Sequence, residues 1–491
     1  MALIDELKKL VGNASDAAAD LDVYAKDMSL CPAGSADAVV WPESTEEVSA
    51  VVKYAYENNI PVVPVSSQTH MYGSTIPKQG GIVIDMSKMD KIFEIDLKHK
   101  TVRFQPGVTW KQLYEALDAV GARVMMPLTT LANRSVLSDT LDRAVMTNTV
   151  YDYGEPTQSM EIVWGDGSVF RAGSASAHAF DAAKALGDPG ATFTRGVDPS
   201  GPGLDFYRLV QGAQGTMGII TWMSMKIEWK SRIDKVYFAP IAADELDFVQ
   251  LFLYKVLPRR VGQEVVILNK VELAAIIADK PEDIAGLIKK LPEYTLVMVL
   301  SGLLRLPEEK IAYEEKYLKN VIDTTFKDIS LARALPGFPG LERKILKALK
   351  TPWEGPSWKE TPEGAYEDLF FICRPEKAQQ YVDEMKEILA SHNYPHTALG
   401  VYQQPIEHNR ASQLMFTFFY DPEDEDAKAD IAAIVYEAGV KFLAEGAQFT
   451  RPYGNLVPVI YDRAGNYTAT LMRLKKIFDE KNIFNPGTLC F

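Results

Sequence analysis

The chain has 491 residues, with 66 acidic side chains against 52 basic ones and a net charge of −14. That balance argues against nucleic acid or an anionic membrane surface as partner, because both need clustered basic residues. The length and a 47% apolar share suit two large domains or three average ones with sizeable cores, and no run approaches the roughly 18 apolar residues of a membrane span. Residues 1–22 read as amphipathic and acidic, without the apolar core or cleavage site of a secretory leader. Cys31, Cys373 and Cys490 are too scattered for a disulfide framework, a zinc site or an iron–sulfur cluster. The expectation is a cytoplasmic enzyme with no metal.

Over the first 230 residues short apolar strands alternate with amphipathic helices. Ser44 and Glu47 have capping-box spacing, and Val48, Val51, Val52 and Ala55 recur at helical spacing behind them. Val62 to Val65 reads as a buried strand after Pro61, followed by a polar loop at 66–74 and another strand at 82–85. Residues 92–96 and 101–105 form a hairpin with Lys98, His99 and Lys100 at its tip. Thr109 caps a helix whose Trp110, Leu113, Leu117 and Val120 face the core, and Gly121 stops it. A strand-turn-strand runs from 161 to 173 around Gly165-Asp166-Gly167. The stretch 178–203 is rich in Ala, Gly, Asp and Pro, as long connecting loops often are. From about 232 to 445 helices and strands lengthen, with strands expected at 264–268 and 296–300. Loops are expected at the proline-rich breaks 336–339 and 352–362. The tail carries a helix and then Asn485-Pro486-Gly487.

Neither a GxGxxG after a strand nor a GxxxxGK[ST] motif is present, which argues against NAD or ATP bound in those ways. Backbone N–H groups of a tight loop can still cradle a phosphate, and 66–74 is the candidate. Of the histidines, His392 and His396 are four apart, but Asn393-Tyr394-Pro395 breaks a helix between them. No histidine pair has metal-site spacing.

Five segments in order change the weight of that loop. They are 41–65 with 66–74, then 135–154 (SVLSDTLDRAVMTNTVYDYG), 160–173 (MEIVWGDGSVFRAG), 211–221 and 476–487 (KIFDEKNIFNPG). Together they resemble the flavoproteins of the vanillyl-alcohol-oxidase and p-cresol-methylhydroxylase type, nearly end to end, and most closely the phenol-oxidising subgroup. The resemblance implies an α+β, two-domain FAD-binding fold with an α/β cap. Residues 1–231 would bind FAD, 232–445 would form the cap over the substrate, and 446–491 would return to the FAD domain.

The same resemblance assigns the sites. Tyr72 falls where the subgroup's tyrosine contacts the substrate phenol, and Arg451 on its substrate-binding arginine. A fixed guanidinium suits a phenolate or carboxylate. FAD contacts are expected from Ser66, Ser67, Gln68, Thr69, His70, Met71, Gly73 and Ser74 in the loop. Further contacts are expected from Thr130, Ser135, Ser138, Asp139, Asp142, Tyr153 and Gly154, from Gly215, Gly218, Ile219 and Ile220, and from Arg473.

Departures from the pattern are part of the reading. The loop lacks the usual glycines, Ser138 replaces a glycine, Asp142 a glutamate, and Asp139 a small or amide residue. Thr450 stands where a second substrate tyrosine is usual, with Tyr453 and Tyr461 as nearby sources of a hydroxyl. Thr130 stands where an acid near flavin N5 is usual. Thr69 occupies a flavin-linking loop position, with His70 one residue later, and Gln413 aligns with a linking histidine of the cap, with His408 near it. FAD held without a covalent link is therefore expected.

The function implied is transfer of hydride from an alcohol-type substrate, aromatic or alkylphenolic by preference, to FAD, with electrons passed to oxygen or an acceptor protein. A 2-hydroxy-acid dehydrogenase of the same fold, or a flavin-carrying subunit of a larger electron-transfer complex, stands as alternative. A flavin-free structural descendant ranks last. A homodimer or larger assembly is the family's habit.

Overall fold

The computed structural model describes residues 3–67, 69–148, 156–173, 206–354 and 357–491. The sequence-assigned Gln68, Tyr153 and Gly154, and the loop at 178–203, lie outside the described residues.

Among the described residues three large sheets, beside a two-stranded ribbon of Ala122–Arg123 and Glu228–Trp229, organise the fold. The first has four strands in the order Ala14–Ser15, Ala38–Val40, Ile82–Asp85, Val62–Val65, the last three mutually parallel. Its crossover helix, Thr45–Asn58, starts where the Ser44 hydroxyl accepts from the Glu47 N–H and stops at left-handed Asn59. Val48, Val51, Val52 and Ala55 are the residues it buries.

The second sheet is antiparallel, in the order Ile92–Asp96, Thr101–Phe104, Ile219–Lys226, Thr157–Val163, Val169–Gly173. Against it lies the helix Trp110–Asp118, which Thr109 and Gln112 close with a reciprocal capping box. Trp110, Leu113 and Leu117 enter the core, but Val120 is 41% exposed. The helix ends at Asp118, so Val120 has left the helical phase that would have turned it inward.

The third sheet has six antiparallel strands: Ile233–Ile241, Tyr294–Gly302, Glu264–Asn269, Gly400–Ile406, Ala411–Tyr420 and Ala365–Cys373. Both faces are buried, so its strands read as nearly continuous apolar runs. One face packs on the helices Leu246–Val256, Ala378–Leu389 and Glu425–Glu445. The other carries Phe370, Tyr402 and Met415 and meets Leu128, Tyr72 and Tyr453 from outside the sheet.

The last residues return to the first sheet. Val62 N–H donates to Ile483 O at 2.7 Å and Asn485 N–H to Val62 O at 2.8 Å. Among the described residues no helix is long and apolar enough to cross a membrane.

Candidate active site

The loop after Val62–Val65 is stitched to the helix Val136–Leu141 by serines. Ser66 Oγ lies 2.5 Å from Ser138 Oγ, and Ser135 N–H donates to Ser67 Oγ at 3.2 Å. Ser135 also caps that helix and donates to Pro106 O at 2.6 Å. A third loop closes the hollow: Gly212, Gln214 and Gly215 all have positive φ, which turns the chain sharply before Ile219–Lys226. Asn485 then bridges two loops, its Nδ2 donating to Ser74 O at 2.7 Å and Gln214 O at 2.8 Å.

The result is a cavity of about 80 Å³ lined by Ser66, Ser74, Ser138, Asp142, Gly215, Gly218, Ile219 and Ile220, all assigned to the cofactor from sequence. Buried Asn485 Oδ1, beside this hollow, is an acceptor with no hydrogen-bond partner among the described residues. Burial raises the Asp142 carboxyl above the usual range, with Arg134 opposing.

The far end of the same loop turns toward the third sheet. Tyr72 and Gly73 are both left-handed, with φ of 72° and 70°. Asp27 accepts from the Gly73 N–H at 2.6 Å, and His70 O accepts from Met28 N–H at 3.1 Å. That backbone path presents the Tyr72 ring to Tyr453, stacked at 4.2 Å with planes 13° apart, and to Phe370 at 5.5 Å edge-on. The Arg451 guanidinium lies 4.0 Å over Phe370 and 6.0 Å from the Tyr72 centroid. Among the described residues, Arg451 Nε and the Tyr453 hydroxyl are buried without hydrogen-bond partners. Arg451, Tyr453, Phe370, Glu367 and Asp368 line one side of a cavity of about 130 Å³, whose other walls include Leu30, Val435, Phe449 and Leu456.

Other assigned residues are placed differently. Thr69 and Thr130 line a separate cavity of about 370 Å³ with Trp353 and Trp358. Asp139 is buried under Arg134, Trp110 Nε1 at 2.7 Å and Thr130 Oγ at 3.0 Å, so its oxygens are already engaged. Met71 sulfur accepts from the Tyr366 hydroxyl at 3.2 Å. Burial, aided by Arg134, lowers the His70 imidazole to about 3 and keeps it neutral, and its Nε2 has no partner among the described residues. His408 sits in the left-handed turn between Gly400–Ile406 and Ala411–Tyr420, and Gln413 is buried on the latter strand. Arg473 is on the exposed side of the helix Gly465–Phe478. Two residues on, Lys475 turns inward to Thr216 O, to Asp479 at 2.7 Å and to Phe484 O at 3.0 Å.

Sequence reading missed Lys475, Asn485 and Asp368. It left Tyr453 and Tyr461 equal, whereas only Tyr453 stacks on Tyr72.

Residues 36–173 match the model of the FAD binding domain family. They are an FAD-binding domain. The chain is 28% identical to the glycolate oxidase subunit GlcD of Bacillus subtilis over 46% of this chain and 44% of that protein. It is 29% identical to the 4-cresol dehydrogenase flavoprotein subunit of Pseudomonas putida, over 44% and 39%. The matched stretches thus span less than half of each relative. A solved structure of p-cresol methylhydroxylase with substrate bound superposes with a TM-score of 0.81, covering 99% of this chain and 96% of that one at 19% identity. That likeness is one of fold, and it extends the two-domain architecture beyond the FAD-binding domain to the six-stranded sheet.

Proposed function

We propose that this protein is an FAD-dependent oxidoreductase acting on alcohol-type substrates, with aromatic alcohols and alkylphenols preferred. In this reading residues 1–231 and the 446–491 tail hold FAD without a covalent link, and 232–445 cover the substrate. The 66–74 and 212–218 loops, with Ser138, hold the phosphates through backbone and hydroxyl groups. Bound FAD supplies the two-electron oxidant that accepts hydride.

The carrying observation is the cluster of Tyr453, Phe370 and Arg451 on the wall of a cavity, with the Tyr72 ring stacked on Tyr453. A flat ring packs against the aromatic wall. A phenolate takes the partnerless Arg451 Nε as donor, and partly buried charge-assisted hydrogen bonds are strong. The Tyr453 hydroxyl stands in for the side chain that Thr450 lacks.

Arg451 serves a carboxylate equally well. That, with the likeness to a glycolate oxidase subunit, supports 2-hydroxy acids as the second reading. Electrons leave to oxygen or to an acceptor protein.

Anaerobic flavin bleaching separates the two: faster bleaching by 4-alkylphenols or aryl alcohols favours the first, and by D- or L-2-hydroxy acids the second. Acid precipitation tests the attachment. FAD released to the supernatant supports a non-covalent site, and colour kept in the pellet contradicts it.

A further inference from the structure

Beside the Tyr72 hydroxyl the sheet holds a compact group of ionisable side chains. Tyr72 Oη donates to Asp368 Oδ2 at 3.4 Å. Asp368 is clamped by Lys359 Nζ at 2.6 and 2.7 Å, with the two side chains 1% and 2% exposed. Thr417 Oγ donates to Asp368 Oδ1 at 2.8 Å and accepts from Lys359 at 3.2 Å.

One more acid ends this row. Glu272 is fully buried, and among the described residues neither carboxyl oxygen has a hydrogen-bond partner of good geometry. Its place is fixed: Asn269 caps the helix Lys270–Ile277 through Glu272 N–H at 3.0 Å, and the same Asn269 oxygen accepts from Val401 N–H at 3.0 Å. Space for the carboxyl exists because residue 400 is glycine. A Cβ on Gly400 would lie 2.7 Å from Glu272 Oε1 and 3.0 Å from Thr417 Cβ, so acid and threonine converge on one point.

A buried carboxyl with no partner is costly when ionised, and natural interiors rarely keep one. Burial raises this group to about 7; Lys359 and Thr417 pull it down and Asp368 pushes it up. The other titratable groups facing it are Tyr402 and Tyr394, whose phenols burial raises further above their ordinary range. At neutral pH Glu272 is therefore poised to gain or lose a proton, whereas Lys359 and Asp368 neutralise each other.

We propose that Glu272 is the proton store of the active site, reached from Tyr72 through Asp368 and Thr417. The proposal rests on the oxidoreductase reading above. Oxidation of an alcohol breaks a C–H bond, whose electron pair leaves with the hydrogen to FAD, and an O–H bond, whose proton needs a base. That proton passes to the Tyr72 oxygen as the Tyr72 proton passes to Asp368. As Asp368 gives its proton to the Thr417 oxygen, the Thr417 hydroxyl, which donates to Asp368 at rest, turns to ionised Glu272 and gives up its own proton. The carbonyl product forms, Tyr72, Asp368 and Thr417 recover their starting states, and the proton rests on Glu272. Asp368 and Thr417 are positioning and relay groups, and Lys359 holds Asp368 in place.

Infrared titration of the FAD-loaded protein tests the store directly. A protonated-carboxyl C=O band lost with a midpoint near pH 7, and absent in Glu272→Gln, is expected. A Glu272 band lost in the ordinary carboxylate range, near pH 4, overturns the proposal. Flavin reduction by the substrate tests the relay. Its rate should rise through the same midpoint, fall about 100-fold in Glu272→Gln, and lose that inflection while substrate affinity changes less than twofold. A Glu272→Gln protein that keeps the wild-type profile overturns the relay. Should Glu272→Gln not fold, Thr417→Val is expected to slow reduction and Thr417→Ser to restore it; equal rates in both contradict the route. If no alcohol reduces the flavin, the functional reading fails, and the infrared titration alone decides the store.

Discussion

Tyr72 and Tyr453 stack at 4.2 Å although one belongs to the loop after the first sheet and the other to the segment that follows the last long helix. The contact joins the far end of the 66–74 loop to the wall of the cavity that Arg451 and Phe370 line. Burial drives both phenols well above their ordinary range, and Arg451 partly offsets this for each. Their hydroxyls are therefore neutral donors at any working pH, while Arg451 supplies the charge.

Arg451→Ala should leave FAD bound and lower kcat/KM by about 10- to 100-fold, the worth of a hydrogen bond to a charged group. Steady-state kinetics with the preferred substrate, beside a flavin absorbance ratio, measures both. Tyr453→Phe should cost about tenfold or less, since only its unpartnered hydroxyl is removed.

Gly73 has no room for a side chain. A Cβ there would lie 2.6 Å from Cys31 Sγ, on a residue whose φ is 70°. Gly73→Ala should cost about 2 kcal/mol of stability and displace Tyr72, read as a lower denaturation midpoint and weaker substrate binding.

Lys475→Met leaves Asp479 buried with only the Ile483 and Phe484 N–H groups as donors. Breaking such a pair should cost about 3 kcal/mol. Because Lys475 also holds Thr216 O, FAD affinity should fall with it, which a flavin fluorescence titration detects.

Stability should fall as pH rises from about 4.5 to 8. Burial raises Glu367 to about 8 from an ordinary 4.5, despite a hydrogen bond from Leu30 N–H, so the folded state binds its proton more tightly than the unfolded state does. Its contribution is complete below about 4.5 and lost above about 8. Tm measured across that window should slope downward, and less steeply in Glu367→Gln; an unchanged slope would show that Glu367 titrates normally.

Local signals carried much of this fold. Ser44 and Thr109 cap the helices their spacing indicates, and the strands at 62–65, 82–85 and 92–96 stand where their residues place them. Counting along a motif served less well where a helix sets direction. Leu471, Leu474 and Phe478 face the core, and that 3.6-residue phase turns Lys475 in and Arg473 out. The Lys359–Asp368 pair was hidden for another reason. Nine residues separate its members, but the meeting depends on how the segment before Ala365–Cys373 folds back over the sheet, and no local pattern encodes that.

The most direct measurement is an anaerobic absorption titration of the purified protein, incubated with FAD and then treated with 4-ethylphenol. The expected result is a yellow protein whose flavin bands bleach with the phenol in the wild type and bleach about 10- to 100-fold more slowly in Arg451→Ala. A protein that stays colourless after incubation with FAD would contradict the account at its base.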